Sequence, residues 1–196
     1  MKIGILGGTF DPVHWGHLLL AETVREELSL DKIVFMPACI PPHKQSRPVS
    51  TGSHRVEMIR LAIANIPYFQ VSDYEIQKQA VSFTRDTLKT LKENVYQNDS
   101  LFLIIGEDNF RELDTWKDPA SLFEYATVAV MKRSGSKSNE VIPDKFSQAI
   151  FVKTPLLDIS SSEIRDRVAR GKSIRFRVPE AVEKYIEINE LYRSHV

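Results

Sequence analysis

The sequence predicts an α/β fold built on a parallel sheet with helices on both faces. Three observations carry that expectation. Short apolar strands alternate with segments whose hydrophobic residues recur at helical spacing, the pattern of βαβ units. Leu101 to Ile105 and Ile33 to Met36 are unbroken in apolar residues, as expected of strands covered on both sides. The unusual polar residues follow the strands directly, at the carboxyl ends where open α/β sheets take their ligands.

The elements follow in order. Lys2 to Leu6 is a short strand stopped by Gly7-Gly8, and Leu18, Ala21, Val24 and Leu28 mark a helix over Trp15 to Leu28. Ile33 to Met36 is the second strand. Val56, Ile59, Ile63 and Ile66 give a helix for which Ser53 is the expected cap. Phe69 to Val71 is a weak strand, and Leu88, Leu91 and Val95 mark a helix begun near Ser82-Phe83-Thr84. Leu101 to Ile105, Thr127 to Met131 and Ala149 to Val152 are the remaining strands. Two helices close the chain. Ser160 and Glu163 form a capping-box pair before Ile164 and Val168, with Gly171 at the end. Pro179 opens the last helix, which carries Val182, Tyr185, Ile186 and Asn189. The polar stretch Ser134 to Glu140 reads as a surface loop, so residues 1–196 are expected to form a single domain with the helices from about 160 to 196 packed on it.

Composition removes several classes of function. The 196 residues hold 26 Lys plus Arg against 26 Asp plus Glu, so no net field draws in nucleic acid or an anionic membrane. Cys39 is the only cysteine, which excludes an internal disulfide, and its apolar setting reads as a plain thiol. No apolar run is long enough for a membrane span, and MKIGILGGTFDP is too short in apolar residues for a signal peptide, so the chain reads as cytoplasmic. Apolar residues near the C-terminus would permit a homodimer.

Gly7-Gly8-Thr9-Phe10-Asp11-Pro12 follows the first strand. Adjacent glycines let backbone approach a ligand, and exposed amides there can cradle phosphate. The pattern is neither G-x-G-x-x-G nor the P-loop, and a tight turn without ligand fits the glycines equally well. His14-Trp15-Gly16-His17 favours the ligand. Two histidines three apart at a helix entry project to one side, where the helix dipole attracts anions and Gly16 leaves room for a bulky group. A metal pair is the competing reading of the two imidazoles, but no third His or Cys stands nearby with ligand spacing.

The eleven residues Gly7 to His17 resemble the signature of the H-x-G-H nucleotidyltransferases. The full form looks like bacterial nicotinate mononucleotide adenylyltransferase in particular. That resemblance implies a Rossmann-like, doubly wound sheet with a small helical C-terminal extension. It also implies ATP as donor, Mg²⁺ bound through the ATP phosphates, nicotinate mononucleotide as acceptor, and deamido-NAD and pyrophosphate as products.

Further segments match it. Pro41-Pro42-His43-Lys44 lies in the long loop Pro37 to Ser53, and the resemblance gives Lys44 a phosphate role and Arg47 a weaker substrate role. At Ser82-Phe83-Thr84, the backbone amides of Thr84 and Arg85 are implied to hold the nicotinate carboxylate, with Phe83 where tyrosine is usual. Gly106 and Asp108 follow the clearest strand and suit a ribose, although Glu107 stands where alanine is common. Trp116, read alone, is a core residue; the resemblance makes it the platform for the pyridine ring. Ile159-Ser160-Ser161 with Arg165 matches the I-S-S-x-x-I-R motif, whose hydroxyls, amides and guanidinium suit β- and γ-phosphates. Arg133 is a further nucleotide contact, although Ser134-Gly135 replaces the usual proline-glycine.

These assignments give His14, His17, Lys44 and Arg165 to catalysis. Gly7, Gly8, Thr9, Phe10, Gly106, Asp108, Arg133, Ile159, Ser160 and Ser161 go to ATP, and Thr84, Arg85, Trp116 and Arg47 to the acceptor. No acidic cage for a metal is evident. The rival readings are phosphopantetheine adenylyltransferase, a cytidylyltransferase, a class I aminoacyl-tRNA synthetase, a nucleotide sensor without chemistry, and a redox protein. T-x-G-H replaces H-x-G-H in the first, and the synthetases need far more chain.

Overall fold

The computed structural model describes residues 1–39, 50–78, 82–133 and 143–193. Lys44, Arg47 and the stretch Ser134 to Glu140 therefore lie outside the described residues. The first half of the chain runs β1 (Lys2–Gly8), α1 (Trp15–Glu27), β2 (Lys32–Pro37), α2 (Gly52–Ile63), β3 (Phe69–Val71) and α3 (Tyr74–Gln77). The second half runs α4 (Thr84–Thr90), β4 (Ser100–Gly106), α5 (Glu107–Arg111), α6 (Leu122–Tyr125), β5 (Thr127–Arg133), β6 (Ile150–Thr154), α7 (Ser161–Ala169) and α8 (Glu180–Ile188). The expected strand–helix order holds.

The six strands form one sheet in the order β3-β2-β1-β4-β5-β6. The pairings β1–β4, β4–β5 and β5–β6 are parallel, with Leu6 opposite Ile104 and Arg133 opposite Thr154. This is the doubly wound Rossmann-like order, and its direction reverses between β1 and β4. The carboxyl ends at that reversal are the glycine turns after Leu6 and Ile105. No helix among the described residues is long and apolar enough to cross a membrane.

By its internal packing the chain divides into two compact units. The first holds Met1–Gly7, Leu20–Val34 and Ser82–Leu156. Its core is built from the strands: Leu101, Leu103 and Ile104 of the continuous apolar run are buried, with Ile3, Ile5, Val128 and Val130 beside them. Each such side chain contributes about 1.5–3 kcal/mol through removal from water. Phe110 and Phe146 meet edge-on within the same unit, with centroids 5.9 Å apart.

The second unit holds Gly8–Leu19, the described part of Phe35–Val81, and Leu157 onward. Phe35 and Phe69 pack edge-on at 5.3 Å, and α8 lies against α2, where Tyr185 OH meets His54 Nδ1 at 2.9 Å.

Three local expectations need correction. The cap of α2 is Thr51, whose hydroxyl accepts from the His54 amide at 3.4 Å; Ser53 lies inside the first turn, and Ile66 lies beyond the helix end. Ser160 does cap α7, accepting from the Glu163 amide at 3.1 Å, but Glu163 turns outward to accept from Arg177 at 3.2 Å. The reciprocal half of the capping box is thus replaced by an ion pair. Pro179 is the cap residue of α8, one position before its first turn. Gly171 ends α7 as expected. At φ +65° it lets its own amide reach Val168 O and that of Lys172 reach Arg167 O, at 2.9 and 2.8 Å.

Candidate active site

The segment Asp11 to His17 has its shape fixed from below. Phe10 sits at φ 51°, and its ring is buried. There it packs edge-on against His17 at 5.0 Å and Phe35 at 5.6 Å. Any contact of Phe10 with a ligand therefore falls to its backbone. His14 and His17 stack, with centroids 3.7 Å apart and planes 25° apart. The His14 amide donates to His17 Nδ1 at 3.3 Å. A ring nitrogen that accepts carries no proton, so neutral His17 holds its hydrogen on Nε2.

His14 is buried, and its Nδ1 has no hydrogen-bond partner among the described residues. Burial pushes its pKa down to about 4, so the ring is neutral near pH 7. An unsatisfied buried nitrogen is costly in a free protein and marks a position suited to a ligand. The need for Gly16 is steric: a Cβ there would stand 3.0 Å from both Cε1 and Nδ1 of His14.

Arg165 joins this group. Its Nη1 donates to the Asp11 carbonyl at 2.6 Å and its Nη2 to Ser162 Oγ at 3.3 Å. The Ser161 hydroxyl donates to the Pro12 carbonyl at 2.9 Å, and the Ile159 carbonyl lies 3.8 Å from a Cβ built on Gly16. The start of α7 and the two histidines therefore converge on one stretch of backbone. Three of the four groups assigned to catalysis, His14, His17 and Arg165, are brought together; Lys44 is outside the described residues.

Beneath them lies a network that sequence reasoning missed. Asp11, fully buried, accepts on Oδ1 from the hydroxyls of Ser50 and of Tyr192, the latter at 2.6 Å. The buried guanidinium of Arg55 donates to the carbonyls of Thr9 (2.9 Å), Ala38 (2.7 Å), Cys39 (3.2 Å) and Ser50 (3.2 Å). Burial lowers its pKa and the nearby Asp11 raises it. The signal for Arg55 was helical register, since it stands three and four positions before the buried Met58 and Ile59. Nothing local marks Tyr192, which follows α8 and touches Asp11 only through tertiary folding.

In the first unit, a Cβ on Gly7 or on Gly106 would meet nothing within 4 Å. Open space thus lies beside both turns at the sheet reversal. Glu107 and Asp108 begin the short helix α5. Glu107 pairs with Arg111 at 3.2 Å, which gives its charge a partner, while Asp108 is largely exposed and meets Arg111 at 3.5 Å. Arg133 ends β5 opposite Thr154.

Trp116 is half-buried, so the reading as a core residue is set aside. Its neighbours are tied to the start of α4: Lys117 Nζ donates to Asp86 at 2.9 Å and lies 4.6 Å from the centre of the Phe83 ring. The Arg85 side chain donates to Asp86 (3.1 Å) and Ser121 (3.3 Å). Phe83 is the cap residue and supplies no side-chain acceptor to the first turn. The buried hydroxyl of Ser82 has no partner among the described residues.

A doubly wound sheet with stacked histidines, an arginine and serine-capped helix at one phosphate-suited turn defines the nucleotide-handling class of α/β proteins. The model of the cytidylyltransferase-like family matches residues 5–167. A protein of Dictyoglomus turgidum named "Probable nicotinate-nucleotide adenylyltransferase" is 42% identical, covering 98% of this chain and 96% of its own. One of Exiguobacterium sibiricum with the same name is 43% identical, covering 99% and 100%. The solved structure of Plasmodium falciparum nicotinic acid mononucleotide adenylyltransferase complexed with NaAD superposes with a TM-score of 0.81 at 23% identity, over 97% of each chain. The chain belongs to the cytidylyltransferase-like family, among the nicotinate-nucleotide adenylyltransferases.

Proposed function

We propose that this protein joins nicotinate mononucleotide to the adenylyl group of ATP, forming deamido-NAD and pyrophosphate in the cytoplasm. The observation that carries the proposal is the convergence of His14, His17 and Arg165 on the backbone of Asp11 to His17. A phosphate oxygen of the acceptor attacks the α-phosphorus of ATP, a new P–O bond forms, and the bond to the bridging β-phosphate oxygen breaks. The attacking group is already an anion near neutral pH, so no general base is needed. Catalysis rests on position and on neutralising the charge that grows in the transition state.

The stacked pair supports this assignment. His17 has Nε2–H to donate to an α-phosphate oxygen, and neutral His14 has an Nδ1 without a hydrogen-bond partner among the described residues. Arg165 carries five N–H donors, of which the bonds to Asp11 and Ser162 use two, so it can also hold β- or γ-phosphate. Lys44 is the further cation for the phosphates. Gly7, Gly8, Thr9 and Phe10 would serve ATP through backbone, with Ile159, Ser160, Ser161 and Arg133, while Gly106 and Asp108 suit the ribose. Thr84 and Arg85 amides are assigned to the nicotinate carboxylate, Trp116 to the pyridine face, and Arg47 to the acceptor. Among the described residues no cluster of three or more His, Cys, Asp or Glu could hold a metal, so Mg²⁺ would arrive on the triphosphate and supply charge neutralisation there.

The test is pyrophosphate release with ATP and four acceptors or donors varied in turn. The expected result is rapid release with nicotinate mononucleotide, slower release with nicotinamide mononucleotide, and none with phosphopantetheine or with CTP in place of ATP. Equal rates with the two pyridine nucleotides would remove the acid preference. Release with CTP alone would move the chain to cytidylyl transfer. His17→Ala should lower kcat by about 10²–10³-fold with little change in KM.

A further inference from the structure

The geometry points to Tyr192 as a positioning residue for Arg165, acting through Asp11; this rests on the reaction proposed above. Tyr192 lies 181 residues from Asp11 in the chain, yet its hydroxyl donates to Asp11 Oδ1 at 2.6 Å. Burial, followed by the Asp11 charge, pushes the phenol's pKa well up, so it remains a donor at any working pH. Ser50 meets the same carboxylate oxygen with its hydroxyl, and its amide lies 3.3 Å from both oxygens. The side chain of Asp11 is therefore held on one side by the C-terminal segment and on the other by the entry to α2.

The opposite end of the same residue does the work. The Asp11 carbonyl accepts from Arg165 Nη1 at 2.6 Å, and the next carbonyl, Pro12, accepts from Ser161 Oγ at 2.9 Å. Holding the carboxylate fixes the peptide, and the peptide fixes the guanidinium on which phosphate contact depends. Loss of the Tyr192 donor leaves the fully buried carboxylate with the Ser50 hydrogen bonds and one acceptor site short of a partner, so the peptide that bears the Arg165 acceptor is less firmly held. Tyr192 touches no substrate. Its effect passes through a bond whose other end is a phosphate ligand, which separates it from an ordinary packing tyrosine.

The experiment is Tyr192→Phe, compared with Tyr185→Phe, which removes a similar hydroxyl contact to His54 on the α2–α8 face. Tyr192→Phe is expected to lower kcat about tenfold, with KM for nicotinate mononucleotide within twofold and a melting temperature lower by about 2–4 °C. Tyr185→Phe should keep kcat within twofold. In an Arg165→Ala background the further loss from Tyr192→Phe should shrink to less than twofold, because the group being positioned is gone. A tenfold loss that persists in that background, or an equal loss from Tyr185→Phe, makes Tyr192 a stability residue and overturns the assignment. If the parent itself transfers nothing to a pyridine mononucleotide, the proposed reaction fails. The assignment is then read from the binding of α,β-methylene ATP, which Tyr192→Phe should weaken about tenfold and Tyr185→Phe should leave unchanged; equal binding by both sinks it.

Discussion

The imidazole of His14 lies stacked on that of His17 at 3.7 Å, with its Nδ1 buried and unpaired among the described residues. That burial has a consequence for pH. His14 is held down to about 4 from 6.5, so between those values the unfolded chain binds the proton more readily than the folded one. The contribution to stability is fully present above about pH 6.5 and is lost as pH falls toward 4. In urea unfolding of the ligand-free protein, this group alone should remove about 2 kcal/mol between pH 7.5 and 5. His14→Gln should flatten that part of the profile; identical slopes in parent and variant would show that His14 does not titrate in this way.

Gly16 and Gly106 make opposite predictions from the same substitution. A methyl at Gly16 would press on His14 at 3.0 Å, so Gly16→Ala should move the ring and lower kcat by about tenfold or more. At Gly106 nothing stands within 4 Å, so Gly106→Ala should fold with a melting temperature within about 2 °C of the parent. If the space beside it receives ATP, KM for ATP rises by about tenfold, a cost of about 1.4 kcal/mol. Unchanged ATP kinetics would take Gly106 out of the nucleotide site.

Arg55 should prove a stability residue of unusual weight. Arg55→Met removes the donors to Thr9, Ala38, Cys39 and Ser50 and one of the positive charges near Asp11. The expected loss is about 3–5 kcal/mol in urea unfolding, as for a buried ion stripped of its partner. A loss below about 1 kcal/mol would mean that water replaces the guanidinium without difficulty.

In the proposed reaction Trp116 is assigned to the acceptor, and that assignment can be tested directly. Trp116→Ala should raise KM for nicotinate mononucleotide about tenfold while leaving KM for ATP unchanged, since stacking on an aromatic ring contributes about 1–3 kcal/mol per base. In a Trp15→Phe background, acceptor binding should quench the fluorescence of Trp116. A rise in the ATP constant instead would place the ring elsewhere in the reaction.

Much of the architecture was legible in the residues alone. The alternation of apolar strands with helices specified a parallel sheet, because hydrophobic period and burial are set by local geometry. The two motif runs were equally readable, since Gly7 to His17 and Ile159 to Arg165 are each contiguous in the chain, and the fold brings them together through Ser161 and Arg165. Helix ends were less so: Thr51 and Ser53 are both good caps, and only the path of the backbone chose Thr51.

What the tertiary structure decided lies where a residue's role comes from partners far away in sequence. Arg55 looks like a solvated helix charge until four carbonyls from three separate segments close around it. Asp11 and Tyr192 reveal their bond only when the chain's end returns to its beginning. Trp116 could be core or surface by composition, and only the fold leaves it half-buried. Sequence determines which surfaces must leave water and which short motifs can meet an anion. Folding alone determines which buried polar groups find each other, because a hydrogen bond is won over distances of a few ångströms that no spacing along the chain records.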